Sequence, residues 1–111
     1  MASKIRRISS TYTFSITNST ASSKQISFND EAAFTVYIPS GWTTCVVTAY
    51  AKNHASAAWV PLNYNGSAVS FAAAADNAYT LNESIFPCHD IMLVSDNAAN
   101  NALTCAGTSK A

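Results

Sequence analysis

Charge is the property that this 111-residue chain has least of. Only 11% of its residues are charged, six basic and six acidic, so the formal net charge is zero. Glycine occurs only three times, which leaves no glycine-rich phosphate-binding loop and no nucleophile elbow. The longest apolar run, residues 71–75, is far shorter than the ~20 residues that a membrane span needs. These shortages argue against a membrane protein and against the common enzyme classes.

Cysteine is also scarce and follows no metal-binding spacing. Cys45, Cys88 and Cys105 are an odd number without a Cys-X-X-Cys pair. Cys45 lies within an apolar strand pattern and is predicted to be a buried free thiol. For Cys88 and Cys105 two alternatives stay open, a disulfide or the reduced pair that is usual in a cytosolic protein.

One short segment, Cys88-His89-Asp90, combines three residue types that bind metals or form a nucleophile. Neighbouring side chains of a strand point to opposite faces, so these three do not converge on one ion. Only one other histidine, His54, is present, and no metal-ligand spacing surrounds it. We therefore expect no metal, no cofactor and no enzymatic activity.

The few charges are unevenly distributed along the chain. Residues 1–28 carry four basic residues and no acid, whereas residues 29–111 carry two basic and six acidic residues, a net charge of −4. This asymmetry predicts a basic N-terminal arm, residues 1–10, before a domain at 11–111. The arm is too sparse in charge for a nucleic-acid-binding surface. No apolar block follows it that could form a signal-peptide core, so we expect synthesis in a cytosol.

Alternation of apolar and polar residues is the strongest structural signal. Tyr12, Phe14 and Ile16 alternate with hydroxyl residues up to Thr17, and Phe34 and Val36 repeat the pattern. Period two with β-branched and aromatic residues predicts strands. The fold class is therefore all-β, a single antiparallel β-sandwich of jelly-roll or immunoglobulin-like kind. Strands are expected near residues 11–17, 25–28, 33–38, 43–51, 57–64, 67–72, 77–82, 90–95 and 102–106.

The alternation also predicts which side chains fill the core. They are the apolar residues on the inward face of each strand, namely Phe14, Ile16, Phe34, Val36, Ile38, Val47, Val60, Leu62, Phe71, Leu81, Ile91 and Leu93.

The connections follow from turn residues. Asn65-Gly66 is typical of a tight hairpin turn with positive φ angles. The alanine run at 72–75 is too short for an independent helix and is predicted to be a strand end that enters a loop. Residues 97–101 are predicted to form a loop, and the tail after Gly107 is predicted to be frayed.

Small neutral side chains dominate the composition. Alanine, serine, threonine and asparagine number 20, 15, 11 and 10. Such side chains lose little rotamer entropy when a partner covers them. This composition favours a protein that packs against other subunits, with an ordinary low-charge β-domain as the alternative.

Two tryptophans suggest a second kind of contact. Trp42 and Trp59 lie near strand ends, where an exposed ring could stack on a sugar or a buried ring could cover the core. Sugar binding through these rings is therefore an alternative hypothesis.

Residues 33–106 resemble small β-sandwich virion proteins of tailed bacteriophages, especially capsid decoration (cement) proteins. The resemblance rests on five segments with their turn and core positions: a first strand and turn, an aromatic-Pro-Leu segment, a glycine hairpin, and two later strands. They read FTVYIPSGWTT from Phe34, WVPL from Trp59, NG at Asn65, AYTL from Ala78, and IFP from Ile85 followed by IMLVS from Ile91.

The resemblance implies a non-enzymatic protein of the capsid surface, made in the host cytoplasm and present in many copies. Its partners would be the major capsid protein and further copies of itself, most plausibly in a trimer. The basic arm, with Lys4, Ile5, Arg6, Arg7 and Ile8, would dock on the capsid. A tail or fibre module, or a carbohydrate-binding β-sandwich, is the alternative, because one fold serves many functions.

Overall fold

The computed structural model describes residues 9–20, 23, 25–27, 33–52, 58–81, 85 and 90–110. Ten strands and one short 3₁₀ helix form in this part of the chain. The strands are β1 (Ser9–Phe14), β2 (Ala33–Tyr37), β3 (Cys45–Lys52), β4 (Val60–Pro61), β5 (Asn63–Tyr64), β6 (Ser67–Ala68), β7 (Ser70–Ala73), β8 (Ala78–Leu81), β9 (Asp90–Ser95) and β10 (Cys105–Lys110), and the 3₁₀ helix is Ala98–Asn100. The predicted all-β class is confirmed.

The strands form two larger antiparallel sheets and one small hairpin. The first sheet has the order β1-β10-β2-β8. In the second sheet, one side of β3 pairs with β9. The other side of β3 pairs with β7 along its first half and with β4 near its end. The short strands β5 and β6 form a separate hairpin between β4 and β7.

The order of pairing is nested. From the outside inward, β1 pairs with β10, Ile26 bridges Ile91 of β9, β2 pairs with β8, and β3 pairs with β7. Strands that come early in the chain therefore pair with strands that come late, and each successive pair lies inside the previous one along the sequence. A nested antiparallel ribbon that is folded over into two sheets is the topology of a jelly roll. This pattern decides between the two topologies that the sequence left open.

Side chains from both sheets fill one common core. Phe34 and Val36 of the first sheet, and Val47, Ile91 and Leu93 of the second, are almost completely buried. The predicted core residues Phe14, Ile16, Ile38 and Leu81 are also buried, and Leu62 and Phe71 are half-buried against them. Each sheet has one apolar face to cover, and the two sheets cover each other.

The core prediction is wrong for one residue. Val60 is 55% exposed, because β4 is a two-residue strand that pairs only with the end of β3. A short edge strand has too few neighbours to cover its side chains.

The C-terminal tail is the largest correction to the sequence prediction. Instead of fraying after Gly107, the chain continues as β10, which lies between β1 and β2 in the middle of the first sheet. Its inward residues are small because large rings from the neighbouring strands lie over them. A side chain at Gly107 would place its Cβ 2.8 Å from the ring of Phe34. The hydroxyl of buried Ser109 donates to the Tyr12 hydroxyl at 3.3 Å.

Two turns have the geometry that their residues predict. Asn65 and Gly66 have φ angles of 51° and 81°, as the tight turn between β5 and β6 requires. The alanine run ends β7 at Ala73 and enters a turn in which Asp76 has a φ of 58°. Both predictions are confirmed.

Two other local predictions are wrong. Residues 97–101 contain a 3₁₀ helix, Ala98–Asn100, because the Asn97 side chain caps its start by accepting from the Ala99 N–H. The first strand ends at Phe14, and Thr17 is buried rather than exposed. Beyond Phe14 the chain crosses to the second sheet, where the Ser95 N–H donates to the Thr17 carbonyl at 2.8 Å.

Candidate protein-contact surface

A row of four threonines crosses the side of the first sheet that faces away from the core. The row consists of one residue from each strand, in register: Thr11, Thr108, Thr35 and Thr80. The hydroxyls of Thr35 and Thr80 share a hydrogen bond at 2.9 Å. Threonine pairs across antiparallel strands stabilise a sheet by a few tenths to about 1 kcal/mol each. The row therefore forms an ordered polar surface without charge.

The rest of this surface is equally small and neutral. The outer face, as we call it, consists of Thr11, Thr13, Ala33, Thr35, Tyr37, Ala78, Thr80, Ala106, Thr108 and Lys110, the residues that alternate with buried ones along β1, β2, β8 and β10. Lys110, at the end of β10, is its only charged residue. Tyr37, which is 45% exposed, is its only aromatic side chain. A partner that covers this face desolvates little charge and immobilises few flexible side chains.

The sequence pattern pointed to only part of this face. The alternation of Thr11 and Thr13 with apolar residues was visible. Thr108 was missed because its inward neighbours, Gly107 and Ser109, are not hydrophobic and gave no strand signal. A search for alternation of small with exposed residues would have found it.

The outer face ends at β8, which is an edge strand of the first sheet. Within the described residues, β8 pairs only with β2, and β7 is likewise an edge strand of the second sheet. Phe71 of β7 and Tyr79 of β8 stack with ring centroids 4.8 Å apart, so the two edges lie side by side. Neither strand contains a lysine, an arginine or a proline, the residues that usually protect an exposed edge. Among the described residues, no further strand covers these two edges.

The β5–β6 hairpin is a further exposed feature of the molecule. It leaves the second sheet at Ala49, whose N–H donates to Val69 O at 2.8 Å and whose carbonyl accepts from Leu62 N at 2.9 Å. The Val69 N–H closes the neck by donating to Leu62 O at 2.9 Å. All six hairpin residues, 63–68, are exposed, including Tyr64 at 43%. The hairpin is thus anchored at its neck and exposed along its length.

The two tryptophans occupy different environments. Trp42 is only 5% exposed and covers the core, so it is not a surface platform for a sugar. Its indole N–H is also buried. Trp59 is half-buried, and the Lys52 ammonium lies 4.7 Å from its ring centroid. The sequence prediction of two aromatic contacts is therefore wrong for Trp42.

The thiols in the described part of the chain are buried and unreactive. Cys45 and Cys105 are both free, and Cys105 is 1% exposed. Burial raises the pKa of the Cys105 thiol to about 11. Burial, and to a smaller extent the Asp96 carboxylate, raises the pKa of Cys45. A raised pKa keeps a thiol neutral, which opposes nucleophilic or metal-ligand roles.

Of the segment Cys88-His89-Asp90, only Asp90 lies within the described residues. Its buried carboxylate accepts a hydrogen bond from the Ser27 hydroxyl. The described residues contain no group of three metal-ligating side chains, and no pocket opens among them. No helix of the described part is long and apolar enough to cross a membrane. The predicted arm residues, Lys4 to Ile8, lie outside the described residues.

Comparison with known proteins adds no relative. No family model, no curated protein and no solved structure matches the chain.

Proposed function

We propose that this protein decorates and stabilises the head of a tailed bacteriophage by binding the outer surface of its major capsid protein. The observation that carries the proposal is the outer face, a four-stranded surface of threonine and alanine with one charged residue. Such a face suits a partner that is also a folded protein, since contact needs neither a pocket nor a reactive group. Decoration involves no bond-making step.

Stabilisation would follow from selective binding. A capsid that is filled with DNA expands, and subunits in the expanded state present sites that the unexpanded state lacks. A ligand that binds only one of two states shifts the equilibrium towards that state. At each site the expanded state gains a stabilisation free energy of RT ln(1 + [L]/Kd), where [L] is the concentration of free decoration protein. This gain is repeated over every site. A small, rigid jelly roll is sufficient for this role.

The basic arm would supply the electrostatic part of the contact. Lys4, Arg6 and Arg7 would dock on acidic capsid surface through charge-assisted hydrogen bonds, and Ile5 and Ile8 would add apolar burial. Opposite charge also accelerates association. In this proposal copies of the protein associate as a trimer, and the jelly roll projects outward.

The outer face can be tested directly by placing a charge in its centre. Purified protein is mixed with expanded capsids of the same source, and bound protein is measured by co-sedimentation. Thr108→Glu puts a carboxylate in the middle of the threonine row, where a covering partner would have to desolvate it. The matched control is Thr104→Glu, the same substitution at an exposed loop position before β10.

We expect Thr108→Glu to weaken capsid binding at least about tenfold, which corresponds to 1.4 kcal/mol. Thr104→Glu should bind like the wild type. Circular dichroism and thermal melting verify that both variants are folded. Equal binding by the two variants would contradict the role of the outer face. Deletion of residues 1–8, which leaves β1 intact, tests the arm separately, because unchanged affinity after the deletion excludes arm docking.

The alternative, a tail or fibre module that binds a sugar, has lost one of its two aromatic platforms, since Trp42 is buried. Binding of the wild-type protein to host glycans, together with failure to bind capsids, would favour that alternative over decoration.

A further inference from the structure

The tip of the β5–β6 hairpin joins an asparagine to a glycine in an open environment. Asn65 and Gly66 are both exposed and occupy the two central positions of the turn, with φ angles of 51° and 81°. A Cβ at Gly66 would meet no atom within 4 Å. The backbone nitrogen of Gly66 is therefore unhindered on the side of the missing side chain.

This pair has an intrinsic chemistry. The backbone nitrogen of Gly66 can attack the side-chain carbon Cγ of Asn65 and close a five-membered succinimide ring. The new N–C bond forms as the C–N bond of the carboxamide breaks, and ammonia leaves with the proton from the Gly66 nitrogen. Water then opens the ring at either carbonyl, which gives aspartate or isoaspartate. No oxidant, reductant or metal takes part.

We propose that Asn65 is a self-modification site that converts spontaneously to aspartate and isoaspartate. The inference does not depend on the proposed function. The described asparagines at other positions are mostly held by hydrogen bonds. Asn18 and Asn101 bond to each other, Asn97 caps the 3₁₀ helix, Asn77 donates to Ala75 O, and Asn100 binds Thr43.

Asn63 provides an internal comparison. It lies in the same exposed hairpin, but Tyr64 follows it, so the residue that supplies the attacking backbone nitrogen carries a large side chain on its Cα. Both asparagines are exposed in the same hairpin, Asn63 in β5 and Asn65 in the turn. Their rates in the folded protein therefore compare an Asn-Gly pair in the turn with an Asn-Tyr pair in the strand.

The fold restrains the reaction without preventing it. Ring closure requires rotation away from the turn geometry, while the bonds among Ala49, Leu62 and Val69 keep the neck of the hairpin closed. The folded protein should thus react more slowly at Asn65 than the unfolded chain. The product matters for the hairpin, because a carboxylate adds negative charge at its tip. Isoaspartate also adds one carbon to the backbone, which lengthens the two-residue turn.

The test follows the full-length protein during incubation at mildly alkaline pH, with peptide mapping by mass spectrometry at intervals. The isoaspartate product is distinguished from aspartate by its separate elution. We expect conversion at Asn65 to be at least about tenfold faster than at Asn63, a barrier difference of about 1.4 kcal/mol. Equal rates at the two positions would overturn the proposal.

Two further measurements separate the effect of the glycine on the reaction rate from the restraint that the folded turn imposes. Gly66→Ala should slow conversion at Asn65 in urea, where the variant and the wild type are both unfolded. If Gly66→Ala reacts as fast as the wild type in urea, the role of the glycine is excluded. The wild type should react faster in urea than in native buffer, and the absence of acceleration would show that the turn does not restrain Asn65.

Discussion

The side chain of Asn100 forms with Thr43 the pair of hydrogen bonds that a neighbouring strand would otherwise form. Its Oδ1 accepts from the Thr43 N–H at 2.8 Å, and its Nδ2 donates to the Thr43 carbonyl at 2.9 Å. Asn100 itself is completely buried at the end of the 3₁₀ helix. The contact ties the loop before β3 to the loop before β10, residues that are 57 positions apart.

Substitution of Asn100 should therefore destabilise the fold. Asn100→Ala removes both hydrogen bonds to the Thr43 backbone and should lower the free energy of unfolding by about 1–3 kcal/mol. Urea denaturation followed by circular dichroism measures the change. Asn101→Ala is the matched control, because among the described residues the Asn101 side chain bonds only to Asn18, in an exposed pair, and its loss should cost less than about 0.5 kcal/mol. If the two variants lose similar amounts of unfolding free energy, the hydrogen bonds to Thr43 do not contribute more to stability than the exposed pair does.

Gly107 should not tolerate a side chain. Gly107→Ala would place its Cβ 2.8 Å from two ring carbons of Phe34 and 3.0 Å from the ring of Phe14. Overpacking of this kind typically costs about 1–3 kcal/mol, because rings must leave their preferred rotamers. Ala106→Ser, at the exposed neighbouring position, should change stability by less than about 0.5 kcal/mol. If Gly107→Ala melts at the wild-type temperature, β10 does not lie beneath the ring of Phe34.

Stability should fall in alkaline solution through Cys105. Its pKa is raised by burial from 9.0 to about 11, so the unfolded chain loses the thiol proton at lower pH than the folded protein. Between these two values the unfolded state binds fewer protons, and the free energy of unfolding therefore decreases as pH rises. The loss attributable to this thiol approaches about 2–3 kcal/mol at the upper end of the window.

Comparison with Cys105→Ala isolates this contribution from the other groups that titrate in the same range. Urea denaturation is measured for both proteins at several pH values. The advantage of the wild type over the variant should shrink as pH rises through the window. A difference in stability that stays constant with pH would mean that Cys105 does not titrate differently in the folded and unfolded states.

The fold class was predictable because large apolar residues alternate with polar ones along β1 and β2, and the Asn65-Gly66 turn has only one common geometry. Where inward residues are small, the same alternation carries no hydrophobic signal. Gly107 lies against the rings of Phe34 and Phe14, and the buried Ser109 hydroxyl contacts the Tyr12 hydroxyl, and local sequence does not reveal either contact. The strand prediction therefore ended at residue 106, and the remainder of β10 was predicted to be a frayed tail.

Long-range contacts account for the remaining differences. The Asn100 contact with Thr43 depends on two loops that meet only in the folded protein, so local sequence could not reveal it. Val60 has the residue type of a core position, but the hairpin that leaves the sheet beyond it removes the neighbours that would cover it. The threonine row likewise became visible only when the register of the four strands was known.

The central claim, that this protein decorates a phage capsid, is tested most directly by its copy number in purified virions. Quantitative mass spectrometry gives the molar ratio of this protein to the major capsid protein. Because a decoration protein follows the symmetry of the capsid lattice, the account predicts on the order of hundreds of copies in each virion. A count of only a few copies, or absence from the virion, would contradict it.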